Sequence, residues 1–207
     1  MIGTVIDSLF PIVQSMGFVE RYGGLVRIAK KAYPTDKGFE YKTFPVSCSV
    51  SERECWESGK YADLIPNDKY KSIAYFEPAG NVKIENTVVP GTNRKAIYVS
   101  IPVDFICWIN YKISECSWYG FELLALKAFN TMSNAPLPFK VHGFKIDIRM
   151  LASRDENIFS KYSYGDKLGL LLYPYDFFKI GLTISFFIDT KCFEEITFPE
   201  PVECLSL

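Results

Sequence analysis

Catalysis needs a nucleophile, a base or a metal cage, and this chain supplies few of those parts. Its single histidine is His142, in Lys140-Val-His-Gly-Phe144. A general base works through a partner within hydrogen-bond reach, and no motif surrounds this one, so it reads as structural or exposed. The six cysteines fall at 48, 55, 107, 116, 192 and 204. They form no C-x-x-C and no Cys/His cluster of zinc-like spacing. Cys107 and Cys116 would be nucleophiles only beside an activating base, and His142 is the one candidate.

Asp104 sits inside the apolar run Ile101-Pro-Val-Asp-Phe-Ile-Cys-Trp-Ile109. A carboxylate buried there would have a raised pKa unless paired. Strand alternation instead places it on an exposed face with Pro102 and Ile106. Gly23-Gly24 reads as a bulge or turn rather than a phosphate cradle. No G-x-S-x-G, P-loop, G-x-G-x-x-G or H-E-x-x-H motif occurs. The chain is therefore expected not to be an enzyme and to need no catalytic residue, cofactor or metal.

The elements around these residues follow from composition and pattern. At 207 residues the chain is read as one domain with loop elaborations. Aromatic residues make up 16% of it, as 17 Phe, 13 Tyr and 3 Trp; such rings fill cores and the centres of protein interfaces. Charge is nearly balanced, 23 basic against 24 acidic side chains, which argues against binding to a phosphate backbone.

The local distribution of charge is uneven. Arg21, Arg27, Lys30, Lys31, Lys37 and Lys42 outnumber Asp36 and Glu40, while Asp189, Glu194, Glu195, Glu200 and Glu203 outnumber Lys191. These are a solvated basic hairpin and an acidic tail, or opposite patches that pair head to tail between copies. The start, Met1-Ile-Gly-Thr-Val-Ile-Asp7, lacks a basic n-region, no N-x-S/T sequon occurs, and no run of 18 apolar residues is present. The expectation is a cytosolic product with reduced thiols and no membrane contact.

Ile2, Val5, Ile6, Leu9, Val13 and Met16 follow helical spacing up to Gly17, interrupted at Pro11. A hairpin is predicted from Leu25–Tyr33 and Tyr41–Val50 across the turn Pro34–Gly38, with Pro45 marking an edge or bulge. A capping-box pattern at Ser51-Glu-Arg-Glu54 predicts a short helix. Strands are predicted over about 70–77, 81–89 and 95–112, a long central helix over Ser117–Met132, and a strand over Val141–Leu151. Leu168–Ile188 reads as a closing hairpin turning at Pro174-Tyr175-Asp176, its second arm apolar on nearly every residue and so covered on both faces. Hairpin-length connections dominate, which predicts α+β: an antiparallel sheet with one N-terminal and one long central helix packed on it, ending in a long β-hairpin. Loop insertions are placed near 52–67 and 153–165.

This order of elements, with Leu172-Tyr-Pro-Tyr-Asp176 before a long terminal strand, resembles the tail-terminator, tail-completion and neck-ring proteins of tailed bacteriophages. The style of the chain is similar to that of crAss-like phages infecting Bacteroidetes. The resemblance implies a structural virion subunit, made in the host cytoplasm, whose copies form a closed ring at the head–tail junction between portal complex and tail. Double-stranded DNA would pass through the lumen without sequence readout, and neighbouring portal or adaptor and tail proteins would be the other partners. The residues assigned to subunit contacts are Arg27, Lys30 and Lys31 of the basic hairpin, Tyr173, Tyr175 and Phe178 of the aromatic loop, and Glu194, Glu195 and Glu203 of the acidic tail. The second reading is a small-molecule-binding or regulatory domain of a bacterial cytosol, its aromatics lining a pocket. An enzyme centred on Cys107 or Asp104 is the third.

Overall fold

The computed structural model describes residues 2–47, 62–114, 120–134, 142–153, 156–164 and 169–189. The chain opens with two short helices, α1 (Ile2–Ser8) and α2 (Phe10–Ser15). Pro11 explains the split: it lacks an amide hydrogen and is accepted in the first turn of a helix but not in its interior. The helix ends before Gly17, whose φ of 77° is the left-handed conformation that closes helices. Val5, Ile6, Leu9, Val13 and Met16 are all buried, as their spacing predicts.

Strand β1 (Arg21–Leu25) follows, then the hairpin β2 (Arg27–Thr35) and β3 (Gly38–Ser47), and a short β4 (Ala62–Asp63). Gly23-Gly24 forms the expected irregularity: the register of β1 shifts between Tyr22 and Leu25, and Gly24 has a φ of 62°. A side chain at Gly23 would also strike Leu64, whose Cδ1 lies 2.1 Å from the place a Cβ would take. Strands β2, β3 and β4 make a separate three-stranded sheet. Pro45 is not at its edge, since β3 runs between β2 and β4, but it stands just past the end of β4, where its carbonyl accepts the Leu64 N–H. The helix expected from Ser51 lies outside the described residues.

The main sheet contains β5 (Ser72–Pro78), β6 (Lys83–Val88), β7 (Lys95–Asn110), β8 (His142–Ser153) and β9 (Tyr175–Asp189), with β1 at one edge. The strand order is β1-β5-β7-β9-β8, and β6 pairs with the first part of β7. All pairings are antiparallel except β1 with β5, which is parallel, so the expected wholly antiparallel sheet is mixed at this edge.

Two further expectations are corrected. Leu168–Ile188 is not a hairpin: only its second arm is a strand, and the described residues 169–174 are helical turn and loop. Both edges of β9 are already occupied, by β7 and β8, so no place remains for a first arm. The helix α3 spans Phe121–Ser133, thirteen residues, rather than forming a long central helix. Gly120 is extended immediately before it (φ −63°, ψ 158°), and glycine is a poor helix former. The fold is thus α+β and mostly β.

Each face of the main sheet packs its own core. On one face, α1, α2 and α3 cover Val99, Ile101, Val103, Phe105, Cys107 and Ile109 of β7 with Phe178, Ile180, Leu182, Ile184 and Phe186 of β9. On the other, Ile106, Trp108, Tyr175 and Phe177 pack with Phe44 of the small sheet, with Leu64 just after β4, and with Ile158, Phe159, Tyr162, Tyr164 and Leu171. Much of the segment predicted as a loop insertion after β8 is therefore packed against the sheet, beginning with a 3-10 turn at Glu156–Phe159. Side chains alternate between faces along a strand, and the second layer is why β7 and β9 are apolar on consecutive residues. Trp108 stacks on Tyr175 with ring centroids 5.4 Å apart and donates its Nε1 hydrogen to the Leu170 carbonyl at 2.6 Å.

Within the aromatic loop this packing makes a sharp distinction. Phe178→Ala is expected to cost about 3–5 kcal/mol by opening a cavity in the larger core. Tyr173→Ala, at an 86% exposed position, should change stability by less than about 0.5 kcal/mol. Urea denaturation of the two variants against the parent chain checks the pair.

Candidate functional site

The hairpin β2–β3 pairs without interruption from Arg27 opposite Val46 to Thr35 opposite Gly38. Paired residues share a face, so its two sides can be read directly. Ala29, Phe44 and Val46 are buried on the side turned toward the second core. The opposite side carries Ile28, Lys30, Ala32, Pro34, Phe39 and Tyr41. Ile28 is 53% exposed, Phe39 70% and Tyr41 59%, and the Lys30 ammonium stands 4.7 Å from the centroid of the Tyr41 ring. Every residue from Ala32 to Tyr41 is exposed, so the hairpin β2–β3 projects as a two-stranded arm.

An isolated two-stranded ribbon is marginal in water, and clustered exposed apolar side chains mark interaction surfaces. The arm is anchored at its root by polar contacts. Lys31 pairs with Asp63 at 3.0 Å, the Thr43 hydroxyl donates to the Lys161 carbonyl at 2.9 Å, and the Thr43 N–H donates to the Ser163 hydroxyl at 3.0 Å.

A second polar constellation lies on the same face of the main sheet, beside the second core. Glu77 on β5 stands opposite Asp104 on β7. Asp104 bonds to Arg149 at 2.6 Å and lies 3.6 Å from the Lys179 ammonium. Glu77 is 3% exposed and accepts hydrogen bonds from the Lys161 ammonium and the Tyr162 hydroxyl. Burial pushes the Glu77 carboxyl above its ordinary value; Lys161 opposes this and Asp104 adds to it. Tyr75 and Tyr164 lie close by, and burial raises both hydroxyls well above their usual range. Chemically this is a latch: both acids are held by cations, and Lys161 and Tyr162 tie the packed segment after β8 to the sheet.

The residues singled out from the sequence scatter. Asp104 does share a face with Pro102 and Ile106, but that face is covered: Ile106 is fully buried and the Asp104 side chain is 16% exposed. Cys107 belongs to the apolar core on the other face, so it cannot work with Asp104. The backbone of His142 opens β8 opposite Phe187. Arg27, Lys30 and Lys31 all lie on β2 of the arm. Of the loop aromatics only Tyr173 is exposed; Tyr175 and Phe178 are core residues at 7% and 0% exposure, which removes them as contacts for a neighbour. Glu194, Glu195 and Glu203 lie outside the described residues.

Sequence reasoning missed Glu77, although Tyr75-Phe-Glu-Pro78 carries the same signal as Asp104, a carboxylate in an apolar strand. It also passed over Phe39 and Tyr41, whose period-two spacing next to lysines marks the open face of the arm. Among the described residues no group of three potential metal ligands is found, and no helix is long and apolar enough to cross a membrane. A groove of about 560 Å³ lined by Glu85, Asn86, Thr87, Tyr98 and Phe187 is open to solvent. No protein-family model and no curated protein sequence matches the chain.

The latch sets a pH dependence. A carboxyl raised above its unfolded value of 4.5 favours the fold when protonated. That contribution is complete below the unfolded value and is lost as pH rises through the raised one. Thermal unfolding followed upward from pH 4.5 should show this contribution fading, and Glu77→Gln should remove that part of the slope. Glu77→Ala should cost about 1–3 kcal/mol by taking the acceptor from the Tyr162 hydroxyl.

Proposed function

We propose that the chain is a non-enzymatic structural subunit that assembles with copies of itself, and that its assembly is the ring of a tailed-phage head–tail junction. The arm carries this reading. Its exposed Ile28, Phe39 and Tyr41, beside Lys30, support a contact with another protein. A heterologous contact, in which different surfaces of two copies meet, closes into a ring when the rotation allows. The near balance of 23 basic and 24 acidic side chains suits a channel that must let DNA slide, because a strongly basic lumen would hold it. The buried latch fits the same role, since it locks a scaffold and holds both Glu77 and Asp104 against cations.

The pocket-binding alternative needs aromatics around an enclosed space. Trp108, Tyr175 and Phe177 are instead spent in the second core. The test is imaging of the purified chain by negative-stain electron microscopy, alone and with the products of neighbouring genes. Rings of a single copy number with an open centre are expected. Isolated particles of monomer size under every condition would refute the proposal.

A further inference from the structure

The open face of the arm has a complementary segment elsewhere in the chain. Residues 190–207, outside the described residues, carry Glu194, Glu195, Glu200 and Glu203 against Lys191. Apolar Ile196, Phe198 and Val202 are interleaved with these acids. The arm presents the opposite pattern, Lys30 and exposed Lys37 among Ile28, Phe39 and Tyr41. We infer that the arm of one copy is the docking site for the acidic C-terminal segment of the next. This rests on the self-assembly reading above and names its contact.

Three observations select this occupant. The first is charge: Lys30 on the open face and Lys37 at the turn, beside exposed rings, complement a segment in which acids alternate with apolar residues. The second is where the two features leave the sheet. Strand β9 ends at Asp189, which lies opposite Ala96. The arm departs at Val26, whose N–H donates to the Phe76 carbonyl, and Phe76 lies opposite Phe105. Between Ala96 and Phe105, β7 advances about 30 Å. Made between copies, a contact between segments rooted that far apart joins unlike surfaces, the kind that propagates round a ring.

The third is proline. Pro199 and Pro201 lack the amide hydrogens that a strand added at the arm's edge would need. Recognition therefore runs through side chains laid across the open face, with carboxylates meeting the lysines and Phe198 meeting Phe39 or Tyr41.

Charge exchange in the full-length chain tests this. One variant carries Lys30→Glu and Lys37→Glu; another carries Glu194→Lys, Glu195→Lys and Glu203→Lys. Sedimentation velocity should show each weakening self-association about tenfold or more, with an equimolar mixture regaining the parent assembly. A mixture that does not recover overturns the inference. Two variants that both assemble like the parent also overturn it, while leaving the ring reading in place. A parent chain that stays monomeric at every concentration defeats the ring reading and this contact together.

Discussion

The pairing of β7 with β9 is the constraint on which the rest of the molecule depends. The two strands run antiparallel in unbroken register from Ala96 opposite Asp189 to Asn110 opposite Tyr175. Almost every other element is defined by its relation to this pair. β5 and β6 divide one flank of β7, β8 takes the free flank of β9, and the helices cover one face. Contacts so distant in sequence carry a loop-closure cost, which the continuous apolar lining of both faces offsets.

Covering both faces of the spine decides what the aromatic residues do. Apart from Tyr98 and Phe187, which line the open groove, the rings of β7 and β9 are used in two cores, and the Glu77–Lys161–Tyr162 latch holds the second layer in place. Among the described residues the arm receives no such cover beyond Phe44. The proposed assembly rests on this contrast.

Local chemistry was legible in the sequence and long-range pairing was not. Pro11 and Gly17 mark the break and the end of the first helices because their backbone limits act within one turn. The turn between Thr35 and Gly38 was readable for the same reason. The fate of Leu168–Ile188 was not, because Leu170 and Leu171 are as apolar as a strand, and only the occupation of both β9 edges excludes one. Similarly, Asp104 was put on the correct face, but no pattern near it reveals that a segment some fifty residues later covers that face. The same limit separates Phe178 from Phe39: identical side chains in strands, one beneath α3 and the other in solvent. Parallel pairing of β1 left no local trace at all.

Hydrogen–deuterium exchange, compared between dilute and concentrated protein, addresses the central claim most directly. The amides of β7 and β9 should be the slowest at both concentrations, because they belong to the most deeply packed unit. Amides of residues 27–42 should exchange quickly in dilute protein and slow markedly as copies associate. Unchanged exchange in the arm, with new protection appearing instead over the exposed Leu123 and Leu126 of α3, would contradict the account.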